Sequence, residues 1–211
     1  MSQTLDLGPR AELVSMDSHC DDITIALYRP ESDQGPVYKV HTYSNLPSAA
    51  ARIAEVAKIM QTLGGMEQTP DGLLRFPCGH AHLQAAKRLF LDSCKIDPAA
   101  PVEVRPLRVF DKKANGTIAI ANLGDGLYEA RPEEDAQGQD RRVTTIARGL
   151  IKLGEMEEVA DYTTQARFAC GQSHDELIGL LLVRAPNVRA AMREAEDMAS
   201  RGVLSAPSAQ E

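Results

Sequence analysis

Phe76-Pro77-Cys78-Gly79-His80-Ala81-His82 and Phe168-Ala169-Cys170-Gly171-Gln172-Ser173-His174 both spell Phe-x-Cys-Gly-x-x-His. Each lies between a strand-like run and an apolar helical run: 73–76 then 83–94 in the first half, 162–168 then 177–183 in the second. One small chain therefore carries the same cysteine, glycine and histidine twice, in the same local setting.

Working outward, the two halves match at more than this motif. Ile23, Ile25 and Ala26 pair with Ile118, Ile120 and Ala121, and Tyr38 pairs with Tyr128. Arg52, Ala57, Leu63, Gly64, Met66 and Glu67 pair with Arg142, Ala147, Leu153, Gly154, Met156 and Glu157, and Leu89 pairs with Leu181. The offset drifts from 90 to 95 residues, and the drift falls in loops, where a duplicated fold tolerates small gaps. Composition alone supplies leucine and alanine matches, but rarely Gly-x-Met-Glu and Phe-x-Cys-Gly-x-x-His in the same order twice.

The periodicity gives each half its elements. Ile23, Ile25 and Leu27 alternate with Thr24, Ala26 and Tyr28, as in a half-buried strand, and 37–43 reads as another strand. Pro47 pre-sets a first helical turn, with Ser44 or Asn45 as cap. Ile53, Val56, Ala57, Met60 and Leu63 continue that helix to the stop at Gly64-Gly65. In the second half, 102–110 and 117–121 flank the hairpin dipeptide Asn115-Gly116. Strand 127–130 follows, then a helix through Val143, Ile146, Ala147, Leu150 and Leu153. The fold class expected is α+β and internally duplicated: two β-β-β-α-β-α units related by a pseudo-twofold, with an extra C-terminal helix. The expected boundaries are a loose leader at 1–10, unit one at 11–100, unit two with the added helix at 101–202, and a frayed tail at 203–211. The two units are expected to pack as one globular domain.

Composition narrows the function. At 211 residues the chain can bury a sizeable core, and its apolar and charged fractions are those of an ordinary globular protein. A formal charge of −7 and the absence of tryptophan argue against a nucleic-acid surface and against an anionic membrane partner. The N-terminus has neither the basic nor the apolar region of a signal peptide, and no apolar run approaches a membrane span. Four cysteines are too few for a disulfide scaffold, which gives the expectation of a cytoplasmic protein with reduced thiols.

Three readings attach to the repeated motif. In the first, a pseudo-twofold brings Cys78, His82, Cys170 and His174 together as a Cys₂His₂ metal site, and zinc is the ion such a set commonly takes. Each cysteine is expected at a helix start, with the histidine one turn on and aimed at the same point. With four protein ligands the site is closed and structural; with one missing, water-based hydrolysis opens up. In the second, Cys170 is a nucleophile or redox thiol and His174 its base, with Asp175 or Glu176 to orient it; Cys78 lacks such a neighbour. In the third, cysteine and histidine are packing choices, Ser173 and Glu176 form a capping box, and the protein is a non-catalytic ligand-binding or assembly module.

Lesser signals read mostly as surface or core. His19-Cys20-Asp21-Asp22 looks like a solvated turn, His41 a strand histidine, and Gly124-Asp125-Gly126 a turn rather than a phosphate loop. His80, replaced by Gln172 in the repeat, is an additional candidate ligand contact. The helix over 187–201 carries an apolar stripe of alanine, valine and methionine. It either packs on its own domain or offers a homodimer interface.

Overall fold

The structure, a computed structural model, describes residues 11–20, 23–33, 35–97, 99–133 and 140–203. The expected leader, Asp21 and Asp22 of the polar turn, and residues 204–211 of the tail lie outside the described residues.

The described residues form a mixed α+β fold with three antiparallel sheets and five α-helices. The first half runs β1 (Glu12–Cys20), β2 (Ile23–Arg29), β3 (Lys39–Thr42), α1 (Pro47–Gly64), β4 (Glu67–Gln68), β5 (Leu74–Arg75) and α2 (Leu83–Lys95). The second runs β6 (Arg108–Asp111), β7 (Gly116–Gly124), β8 (Leu127–Pro132), α3 (Asp140–Gly154), β9 (Glu157–Val159), β10 (Tyr162–Arg167) and α4 (Asp175–Leu182). A 3₁₀ turn, Ala185–Asn187, leads into α5 (Val188–Val203). Each half thus has one short strand more than periodicity indicated, β4 and β9. Their glutamates Glu67 and Glu157 are exposed, so neither strand shows the alternation that betrays a half-buried one.

Sheet order is β1-β2-β3, β4-β5 and β6-β7-β8-β10-β9. In the larger sheet Tyr128 of β8 sits opposite Ala166 of β10. In the first half a single antiparallel bridge, Tyr38 to Leu74, joins β5 to the chain just before β3, with N–H···O distances of 2.7 and 2.8 Å. Leu74 and Ala166 each stand two residues before the phenylalanine of a motif. The tyrosine–strand pairing therefore delivers each motif at the same step.

The helices form the interior. α1 packs on α2 and α4, and α3 packs on α4 and α2. One continuous apolar cluster runs from Ile23 to Ala191 through both halves. The matched glycines of the sequence are close-approach points. A Cβ on Gly64 would lie 2.2 Å from Leu89 Cδ2, and one on Gly154 would lie 3.1 Å from Leu181 Cδ1. Met66 and Met156 are both buried. Arg52 donates to the carbonyls of Cys94 and Ile96 at the end of α2, and Arg142 donates to the carbonyl of Pro186 beyond α4.

One matched pair of contacts crosses between the halves. A Cβ on Gly65, the left-handed cap of α1, would stand 3.1 Å from Glu176 Oε2 in the first turn of α4. Glu155, which holds the same left-handed position after α3 with φ 52°, accepts a 3.2 Å bond from the backbone N–H of Gln84 in the first turn of α2.

Several local expectations give way to tertiary context. The residue preceding α1 is Leu46, and Ser44 Oγ accepts from its N–H instead of capping the helix. Ser173 is bound to Asn122 at 3.1 Å, so no capping box opens α4. Residues 101–106, with Pro101 and Pro106, form no strand, and β6 begins at Arg108. α5 packs on its own chain: Arg88 donates to Ala191 O at 3.3 Å and Lys95 pairs with Glu194 at 2.8 Å. No helix of the described residues is long and apolar enough to cross a membrane.

The Gly64–Leu89 contact is testable. Gly64→Ala is expected to destabilise the protein by about 1–3 kcal/mol through overpacking. Combined with Leu89→Ala in urea unfolding, it should cost less than the sum of the two single variants; strict additivity would remove the contact from the core.

Candidate metal centre

Each motif begins as a reverse turn. The N–H of Gly79 donates to Phe76 O at 3.0 Å, and that of Gly171 donates to Phe168 O at 2.9 Å. Both glycines take a left-handed backbone, φ 74° and 68°, and a Cβ on either would meet nothing within 4 Å. Glycine is needed there for its dihedral freedom, not for space. The next N–H then turns back onto the sulfur: His80 N to Cys78 Sγ at 3.4 Å, and Gln172 N to Cys170 Sγ at 3.5 Å.

The helices start later than expected. α2 opens at Leu83 and α4 at Asp175, so His82 and His174 are the residues that precede them, not residues one turn inside. The cysteines lie four residues upstream of those histidines, in the turns, beyond the reach of a helix-dipole effect that fades within one turn. The two caps differ in backbone: His82 is left-handed at φ 44°, and His174 has φ −136° and ψ 67°.

The two turns nevertheless converge. Cys78 Sγ is 3.1 Å from His82 Nε2, and Cys170 Sγ is 3.2 Å from His174 Nε2. The four ligand atoms of Cys78, His82, Cys170 and His174 all lie within 4.8 Å of one another. Tetrahedral zinc, with arms of about 2.0–2.3 Å, separates its ligand atoms by about 3.3–3.8 Å. The cluster is thus of the right size to hold a metal ion with sub-ångström to ångström adjustments.

Four rings form the floor. His82 meets Phe76 and Phe168 edge-on at 5.1 and 5.2 Å between centroids, and His174 meets Phe168 and Phe76 at 5.0 and 6.2 Å. The two imidazoles are themselves 4.8 Å apart. Each phenylalanine therefore touches the histidine of the other motif as well as its own. The tyrosines brace the floor from behind: Tyr38 donates to Ala81 O, and Tyr128 accepts from the His174 N–H at 2.6 Å and donates to Asp175 Oδ1 at 2.8 Å.

In the sequence these tyrosines and phenylalanines are matched residues with no role attached. The available signal was a matched, buried tyrosine, whose hydroxyl needs a partner. Asp175, considered as an orienting group for His174, is engaged by Tyr128 and by Asn122 at 2.7 Å. Glu176 faces Gly65. His80 is exposed, its ring 6.2 Å from that of His82, and its Nδ1 lies 3.2 Å from Cys78 O. His41 lies in β3, away from this cluster, and meets the ring of Tyr43 edge-on at 5.1 Å.

Burial sets the charge state. It pushes His82 down to about 4, helped by the neighbouring His174, and holds His174 below the usual imidazole range against the pull of Glu176. Burial also pushes the Cys78 thiol up to about 11; the His80 N–H eases this, and the adjacent Cys170 sulfur adds to it. Two neutral imidazoles and a protonated Cys78 thiol are the uncharged forms that a desolvated pocket favours. A divalent cation reverses this balance by displacing the thiol protons.

No family model, no curated protein and no solved structure matches this chain.

His82 yields a pH prediction. Its folded value of about 4 lies below its unfolded value near 6.5, so its contribution is complete above 6.5 and is lost as pH falls toward 4. The melting temperature of metal-stripped protein should fall across that window, and His82→Gln should flatten the profile. Parallel profiles for the two proteins would contradict the assignment.

Proposed function

We propose that this protein binds one transition-metal ion, most fittingly zinc, through Cys78, His82, Cys170 and His174, and that the ion fastens its two halves together. The observation that carries this is the convergence, within 4.8 Å, of four ligand atoms from motifs 92 residues apart. Two sulfurs and two imidazole nitrogens make a donor set suited to zinc, and four protein ligands make a closed, structural centre. The backbone N–H groups on both sulfurs and the tyrosine braces supply the outer contacts that hold such ligands in place.

We further infer that the halves, 11–100 and 101–202, descend from one duplicated unit and are related by a pseudo-twofold. Supporting this are the recurring element order, the Tyr38–Leu74 and Tyr128–Ala166 pairings, and the two glycine–leucine contacts. The exchanged contacts of Gly65 with Glu176 and Glu155 with Gln84 are those a twofold generates. A metal at the axis then takes one Cys/His pair from each unit. Cys78, Cys94 and Cys170 are all free thiols, which fits a reducing, cytoplasmic setting.

A second reading has one observation in its favour: the 3.2 Å contact of Cys170 with His174 is that of a thiol and its base. The first reading accounts for the identical contact in the other half as well. Metal analysis of tag-free, chelator-free protein separates the two. One zinc per chain, with Cys78 and Cys170 protected from alkylation until a chelator is added, supports the metal centre. Absence of metal with one fast-alkylating thiol at Cys170 supports the nucleophile.

The outer contacts give a graded prediction. Tyr128→Phe should weaken zinc binding about 10–100-fold in a competitive chelator titration. Cys170→Ser should weaken it further and lower the melting temperature. Unchanged affinity in both variants would rule out zinc at this position.

A further inference from the structure

The Cys/His cluster is two-sided. Both imidazoles are buried on the phenylalanine floor, His82 at 8% exposure and His174 at 6%, whereas both sulfurs are only partly buried. The two sulfurs lie within 4.8 Å of each other. Both cysteines sit in glycine-bearing turns, outside the helices and sheet ladders. Closing the sulfurs to the roughly 2.05 Å of a disulfide therefore breaks no helix or ladder hydrogen bond. Cys94, by contrast, is buried inside α2.

We propose that Cys78 and Cys170 form a peroxide-driven disulfide that expels the metal, making the centre an oxidation-sensitive clasp. The proposal rests on the metal reading above. One metal-bound thiolate attacks a peroxide oxygen: an S–O bond forms, the O–O bond breaks, and the departing hydroxide takes a proton to become water. The second thiolate attacks the resulting sulfenic sulfur: the S–S bond forms, the S–O bond breaks, and the second hydroxide leaves as water on taking another proton. Two electrons pass from the sulfur pair to one peroxide, which becomes two waters at the expense of two protons. The metal, left with two neutral imidazoles in place of two anionic sulfurs, dissociates. A thiol reductant reverses the bond and restores the site.

The test uses the full chain loaded with zinc and treated with hydrogen peroxide. Zinc is followed by a chromogenic chelator, and sulfur linkage by peptide mapping without reduction. The expected result is one zinc released per peroxide consumed, a linked pair of peptides containing Cys78 and Cys170, and recovery of zinc binding after reduction. Zinc retained after peroxide is consumed, a sulfinic acid on one cysteine without a link, or a link to Cys20 or Cys94 would each overturn it. Zinc content is read before oxidant is added. Protein that holds none at that stage overturns the metal reading and the expulsion step, while the peptide map of the same sample still decides the disulfide.

Discussion

Burial of two neutral imidazoles against two phenylalanines is the constraint on which the rest of the structure depends. Imidazole is costly to desolvate when charged, and its nitrogens need partners when neutral. Here each ring has a sulfur against Nε2 and aromatic edges on its flanks. That solution needs both motifs at once, because each phenylalanine lies against the histidine of the other. The two strand-turn-helix segments are therefore held face to face, and the helices that leave them, α2 and α4, meet α1 and α3 in both combinations. The large apolar core shared by both halves follows from that arrangement.

The outer residues serve the same constraint. Tyr38 and Tyr128 are fully buried yet spend their hydroxyls on the backbone at the two helix entries, Ala81 and His174. Strand pairing beside each tyrosine sets where the motif begins, and the glycine turn sets where its sulfur points. Position thus passes from sheet to turn to ligand atom through backbone hydrogen bonds, which fix geometry more tightly than apolar packing alone.

Much of this was readable from residue identities. Repetition of Phe-x-Cys-Gly-x-x-His marked the site, and Gly64, Leu89, Gly154 and Leu181, noticed only as matched letters, meet as two pairs in space. The helix starts were expected at the cysteines because each glycine looked like an entry into a helix, whereas Gly79 and Gly171 take left-handed turns and α2 and α4 open only after the histidines. β4 and β9 escaped because two exposed glutamates carry no periodic signal. The exchanged contacts of Glu155 and Glu176 were illegible, since they depend on how two units pack and not on either unit's pattern.

The two histidine caps are not mechanically alike. His174 lies at φ −136°, ψ 67°, on the negative-φ side, whereas His82 is held at φ 44°, where a side-chain-bearing residue is disfavoured by roughly 1–2 kcal/mol. Identical letters in the two motifs thus answer to different backbone demands: position 82 favours a residue that tolerates a left-handed backbone, and position 174 does not.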